Sequence, residues 1–459
     1  MRAAALLAWA AAAGAACTSG SGTILVSLTV APGSTVLDTA TTLRVTVTDP
    51  PSVTLAARGG DGSFDAAIAF DAIQAEGVII VEGLDAGSAV VAVGESPPFP
   101  LAAVNAKLVI YLAAPDSFAS APLSLDAGRT GITVVPVAFG GVLAGGRDAA
   151  GSASAELRVY NAFDHTIASG LSLAATGSDG AGSQPRSDMA GAAGTSGLVY
   201  FFGGTDGSGA ATGTLWRFNP TTAPAGSYED LGPHAELARA GQTMLLDGTE
   251  TFVITGSPAL DLDGETKALT TRRDLAAAPA EAARTLGTDG TPIAIFAGAA
   301  GVSRLRAGIV DMLTVAGGAR TDHAVVGLTG GQVAILGGSD AGTPTRAGIL
   351  LDAAAGTATT VTAALSSVRL HPAVAATARY VVVAGGTDET GAVVSTADIL
   401  DAATLQPRFT KPLVVPRTRA TALALPNEQV LIVGGLDANG QPTAVLELFT
   451  PDAPPSRAP

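Results

Sequence analysis

Val383-Ala384-Gly385-Gly386-Thr387-Asp388 is a short apolar strand that ends on two glycines and an aspartate, and the chain repeats it. Plain copies stand at Val142-Leu143-Ala144-Gly145-Gly146-Arg147-Asp148, Phe201-Phe202-Gly203-Gly204-Thr205-Asp206, Ile335-Leu336-Gly337-Gly338-Ser339-Asp340 and Ile432-Val433-Gly434-Gly435-Leu436-Asp437, with degenerate copies at 252–256 and 295–298. An arginine precedes each glycine anchor: Arg129/Gly145, Arg186/Gly203, Arg239/Gly256, Arg284/Gly298, Arg320/Gly337, Arg369/Gly385 and Arg417/Gly434. The separations are 16, 17, 17, 14, 17, 16 and 17 residues, and successive arginines average 48 residues apart. Two independently chosen markers that stay in phase over seven units define a repeat.

Each unit reads as four strands. In the last, Ala420 to Leu425 and Gln429 to Val433 form a hairpin around Pro426-Asn427-Glu428, and Ala444 to Thr450 follows as a third strand. The chain ends before a fourth. Phe118-Ala119-Ser120-Ala121-Pro122-Leu123, ahead of Arg129, matches Phe409-Thr410-Lys411-Pro412-Leu413, ahead of Arg417, so the missing strand is expected from the start of the repeat region. Such a loan closes a ring and removes its open edges. A period near 50 with Gly-Gly anchors resembles the kelch repeats of a class of β-propeller. The resemblance covers about three quarters of the chain and implies a fold that is all-β, a seven-bladed (alternatively six-bladed) kelch-type β-propeller over 107–452.

Upstream, residues 23–104 read as strands at Ile24 to Val30, Leu43 to Val47, Ala67 to Phe70, Val78 to Val81 and Ala89 to Val93, punctuated by Asp49-Pro50-Pro51 and Arg58-Gly59-Gly60-Asp61-Gly62. A small β-sandwich of immunoglobulin-like type is expected there. Ahead of it, Met1-Arg2 and an apolar run from Ala3 to Ala16 read as a signal peptide over 1–16, too short to span a bilayer. Gly14-Ala15-Ala16-Cys17 resembles a bacterial lipobox, which implies lipidation of Cys17. Residues 17–22 are a Ser/Gly-rich tether, and 453–459 an unstructured tail.

Composition excludes several functions. A net charge of −15 without a Lys/Arg run opposes nucleic-acid binding. The one cysteine is assigned to the anchor, leaving neither a disulfide nor the cysteine-linked tyrosine of a galactose-oxidase-like site. Sialidase-type Ser-x-Asp-x-Gly-x-x-Trp boxes are absent from the sequence. Asp261-Leu262-Asp263-Gly264-Glu265 lacks the distal glutamate of a calcium loop and reads as a turn. His165, His234, His323 and His371 give no metal-ligand spacing, and His323 and His371 read as equivalent, structural positions in adjacent units. No cofactor and no metal are expected.

Within each unit the arginine opens one strand and Gly-Gly-x-Asp closes the next, so both lie at one end and a side-chain charge pair is expected. Arg129, Arg186, Arg239, Arg284, Arg320, Arg369 and Arg417 are thereby assigned to the fold, the alternative being a ring of guanidiniums at the channel mouth offered to an anionic ligand. Binding is expected of the loops after the anchors, at Asp206, Asp340, Arg346, Asp388, Asp437 and Asn439. The expectation is a monomeric, non-catalytic cell-envelope lipoprotein, at the outer membrane or else periplasmic or secreted, that binds an envelope protein or glycan. A carbohydrate-active or epimerase-like enzyme and a purely structural envelope protein are the alternatives.

Overall fold

The computed structural model describes residues 25–49, 51–64, 76–100, 107–173, 184–222, 226–272, 275 and 281–453. The signal peptide, Cys17, the tether, the strand expected at Ala67 to Phe70 and residues 454–459 lie outside them. No helix among the described residues is long and apolar enough to cross a membrane.

Alternating apolar residues fold the first unit into two facing sheets. Pro51–Ala57, Thr42–Thr48, Ile79–Leu84 and Val90–Glu95 form one in that order, and Leu25–Val30 pairs in parallel with Lys107–Leu112 in the other. Val45, Val47, Ile79 and Val81 of the first sheet pack on Val26, Leu28, Leu108 and Ile110 of the second. The expected boundary at 104–107 is therefore corrected: Lys107–Leu112 belongs to this unit, because it supplies the backbone partners of Leu25–Val30 and part of their core. Pro51, taken from sequence as punctuation, instead opens an edge strand, where a residue without an amide hydrogen is tolerated.

Among the described residues, 117–450 form seven four-stranded antiparallel sheets. Numbered in chain order, their inner strands are Thr133–Val137, Ala190–Ala193, Met244–Leu246, Glu281–Leu286, Ala324–Gly327, Ala373–Ala376 and Thr421–Ala424. Each inner strand lies against the next, and the seventh lies against the first. The architecture is a β-propeller. Its cores lie between sheets, as where Val135 and Val142 of sheet 1 meet Phe201 and Trp216 of sheet 2.

Sheet 7 takes its outer strand from the start of the region, as the sequence implied. Ser117–Ser120 pairs antiparallel with Glu447–Thr450, with Phe118 opposite Phe449 and their rings 5.2 Å apart. The first unit is fastened at this seam: the Tyr111 hydroxyl donates to the Ser120 carbonyl at 2.8 Å, and Asn427 Nδ2 to the Glu95 carbonyl at 3.2 Å. Asn427 lies in the turn between the first two strands of sheet 7, so the sandwich sits at the end of the ring opposite the Gly-Gly anchors. Deleting Ser117 to Ser120 exposes the edge of Glu447–Thr450 and should lower Tm by more than 5 °C in a thermal melt, since loss of the four-residue ladder and the Phe118 contact removes several kcal/mol. An unchanged Tm would refute closure by this strand.

Candidate functional site

The two sequence markers meet between sheets rather than within one. The amide of the second anchor glycine donates to the main-chain carbonyl of the next sheet's arginine: Gly146 to Arg186 at 2.8 Å, Gly204 to Arg239 at 2.6 Å, Gly338 to Arg369 at 2.9 Å, Gly386 to Arg417 at 3.0 Å, and Gly435 back to Arg129 at 3.1 Å. The first glycine of each pair has φ between +61° and +70°, and a Cβ there would stand 2.0 to 2.7 Å from that same carbonyl oxygen. Only glycine fits.

Each guanidinium then turns back into its own sheet. Arg129, Arg320, Arg369 and Arg417 donate through Nη1 to the carbonyls of Gly145, Gly337, Gly385 and Gly434, at 2.9 to 3.1 Å. Arg369 and Arg417 are fully buried and Arg320 is 2% exposed. Their partners correct the expected charge pairing. Arg129, Arg369 and Arg417 form ion pairs with Glu156, Asp398 and Glu447, which lie on the third strand of each sheet and not after the anchor. Among the described residues Arg320 forms no ion pair; the carbonyls of Gly317, Gly337 and Ala347 hold it, and the charge of Asp340 acts on it without contact. Arg186 stacks 5.5 Å from the Trp216 ring and bonds Gln184, and Arg239 donates to the Pro258 carbonyl at 2.6 Å. Burial works against the charge of Asp398, but Arg369 and the hydrogen bonds from Ser366 and Thr410 outweigh it and hold the carboxyl below the usual carboxylate range.

Arg284, read from sequence as in phase with the other six although only 14 residues before its anchor, departs from this pattern. It lies within the inner strand of sheet 4, and among the described residues its guanidinium makes neither a hydrogen bond nor an ion pair, with Nε buried and unpartnered. The assignment of Arg284 to the fold is withdrawn.

The aspartates after the anchors cap their own loops. Asp206 Oδ1 accepts from the amides of Ser208 and Ala210, Asp388 Oδ1 from Thr390 and Ala392, and Asp437 Oδ1 from Asn439 and Gln441. Bonds from Ser208 and Thr390 first, and for Asp437 from the Gln441 amide first, hold all three carboxyls below their ordinary pKa. In sheet 1, which the sequence reading left out, Asp148 caps its loop in the same way through Ala150 and Ser152. Asp340 differs. It pairs through its backbone with Arg320 and enters a tighter hairpin through Ala341 and Gly342, while Arg346 is exposed and reaches the Ser366 carbonyl at 3.4 Å. These residues lie on sheets 2, 5, 6 and 7, and every loop projects from the anchor end.

A second set at that end was missed from sequence. Two residues after the arginines, Gly131, Asp188, Gly241, Asp322, His371 and Arg419 all have positive φ. The amide of Asp188 donates to the Gly131 carbonyl, Gly241 to Asp188, His371 to Asp322 and Arg419 to His371, so these residues line the rim of the ring. The equivalence drawn between His323 and His371 is thus corrected: His371 corresponds to Asp322, and its Nε2 lies 3.2 Å from Asp322 Oδ1 and 3.4 Å from Arg419 Nη2. His323 is buried, and burial, then Arg320, pushes its pKa down to about 4. His165 is also pushed down to about 4 by burial, against the Tyr160 hydroxyl at 2.7 Å, beneath the sandwich. The offset of two from each arginine was the available signal for the rim. Asp263 caps its own turn through Glu265 and Thr266.

No protein-family model matches this chain, and no curated protein does. Among 475 matching chains of known structure, that of YjhT matches at 15% identity and TM-score 0.46, over 71% of this chain and 96% of that one. A likeness that loose carries no argument, and the propeller rests on the sheets described above.

Because Arg320 and Asp340 are paired through the backbone but form no ion pair, Arg320→Ala and Asp340→Ala should couple by less than about 1 kcal/mol in chemical denaturation. Arg417→Ala leaves Glu447 buried and should cost about 3–5 kcal/mol. A coupling above about 1 kcal/mol in the first pair would restore the charge lock.

Proposed function

We propose that this chain is a binding protein of the cell envelope, a seven-bladed kelch-type propeller with an immunoglobulin-like domain before it, held to a membrane through lipidated Cys17. The anchor face takes an envelope protein or glycan. The observation that carries this reading is the row of capped loops: the exposed tips Gly207-Ser208, Glu389-Thr390 and Ala438-Asn439 vary, while the aspartate before them and the glycine after them hold one shape. Rigid loops lose little conformational entropy on docking, which favours recognition by surface. The rim of Asp188, Asp322, His371 and Arg419 adds charges of both signs at the same face.

Inner strands such as Ala190-Gly191-Ala192-Ala193 and Ala373-Val374-Ala375-Ala376 support binding over catalysis, because they offer the channel little acid–base chemistry at these positions. The test must leave the caps intact. Glu389→Ser, Thr390→Ser, Ala438→Ser and Asn439→Ser together keep a hydroxyl donor two residues after Asp388 and Asp437, as Ser208 provides for Asp206. With Asp388, Gly391, Asp437 and Gly440 kept, they should reduce retention on an immobilised envelope fraction at least tenfold while Tm stays within about 3 °C. Equal retention would refute the anchor face as the contact surface. Cys17→Ala should move the protein from the membrane fraction to the soluble one. Identical partition of both proteins, with no uptake of labelled fatty acid by the parent, would refute the anchor.

A further inference from the structure

The opposite end of the ring holds a cavity of about 620 Å³, lined by inner-strand ends and first turns of sheets 4 to 7. Its size suits a single small molecule. Leu286, Leu328 and Leu425 form apolar wall, and Thr377, Arg284 and Glu428 bring polar groups to it. Two of these are unusual. Among the described residues the Arg284 guanidinium has no hydrogen bond or ion pair, its Nε is buried, and burial lowers its pKa despite the charge of Asp247 on the neighbouring sheet. Glu428, in a turn with φ of +61°, has a buried Oε2 that accepts no hydrogen bond. The two line one cavity without pairing with each other.

An arginine kept partly out of water with no partner destabilises the fold, and every other repeat arginine here is bonded. A guanidinium in that condition is complementary to a planar anion that can take two parallel N–H bonds. The cavity's second unmet group is an acceptor, so the ligand must also carry a donor. One guanidinium beside the charge of Asp247, in a cavity that also holds Glu428 and a chain of net charge −15, favours a monoanion over a phosphate dianion. We propose that this cavity binds a small organic carboxylate that also bears a hydroxyl or ammonium group, its carboxylate on Arg284 and its donor on Glu428. The site lies on the face away from the capped loops and is independent of what they bind.

The test is calorimetric titration of the full-length chain with D-glucuronate, L-glutamate, D-glucose and inorganic phosphate. Glucuronate or glutamate should bind, glucose should bind at least tenfold more weakly than glucuronate, and phosphate more weakly than either acid. Arg284→Gln should weaken the bound acid at least tenfold without lowering Tm, because it removes an unpartnered charge. Glu428→Gln should weaken it several-fold while Arg284 remains. Should Arg284→Gln lower Tm as Arg417→Ala does, Arg284→Lys would keep the charge, and recovery of Tm with loss of the acid's affinity would still support the site. Binding of neither acid, equal affinity for glucose, tighter phosphate binding, or full affinity in Arg284→Gln would each overturn the proposal.

Discussion

The propeller depends on one joint, in which an arginine's main chain serves the sheet before it and its side chain serves its own. The carbonyl of Arg369 accepts from Gly338 while its Nη1 reaches Gly385, and the same arrangement links Arg417 to Gly386 and Gly434. Each backbone bond contributes only about 1 kcal/mol. Their effect lies in register: a fixed point in one sheet is tied to a fixed point in the next, five times around, and the last tie returns from Gly435 to Arg129. Ring closure therefore has two components, this tie at the anchor end and the borrowed strand Ser117–Ser120 at the outer edge.

The joints that are missing are informative. Sheets 3 and 4 have degenerate anchors, and no glycine amide there reaches the next arginine among the described residues. Two arginines lack the tie, and they differ: Arg320 keeps its place through the carbonyls of Gly317, Gly337 and Ala347, whereas Arg284 sits three residues closer to its anchor than most and joins an inner strand instead. The same loss of repeat character that weakened the sequence pattern thus supplied the channel with a charged group that the regular sheets do not offer.

The period, the four-strand unit and the closing strand were legible because each leaves a local mark: two glycines, an arginine, a phenylalanine ahead of a repeat. The partners of the arginines were not. Sequence proximity favoured Asp340 and its equivalents, which do meet the arginine strand through backbone pairing, as Arg320 opposite Asp340 and Arg417 opposite Asp437 show. The side chains of Asp148, Asp206, Asp388 and Asp437 are taken up by adjacent amides, and the carboxylates that pair come from the third strand, at Glu156, Asp398 and Glu447. A backbone register says which residues are neighbours but not which way a short side chain turns. The misplaced boundary has a similar cause, since a parallel pairing such as Leu25–Val30 with Lys107–Leu112 needs no turn signal between its strands.

The joint also accounts for a compositional bias: the only lysines are Lys107, Lys267 and Lys411, and the remaining positive charge is arginine. Arg417 reaches Val415, Gly434, Val445 and Glu447 from one planar group, with donors pointing in several fixed directions. A lysine ammonium at that position would be a single point and could not span those acceptors, so their lone pairs would be left buried and unmet. Burial lowers the pKa of Arg417 even with Glu447 beside it, yet a guanidinium starts so far above neutrality that it stays charged, whereas a lysine so enclosed would tend to lose its proton and with it the pairing. The fold therefore selects arginine at its joints for reach and for permanence of charge. An arginine that uses neither property in the fold, as Arg284 does, has both available for a ligand.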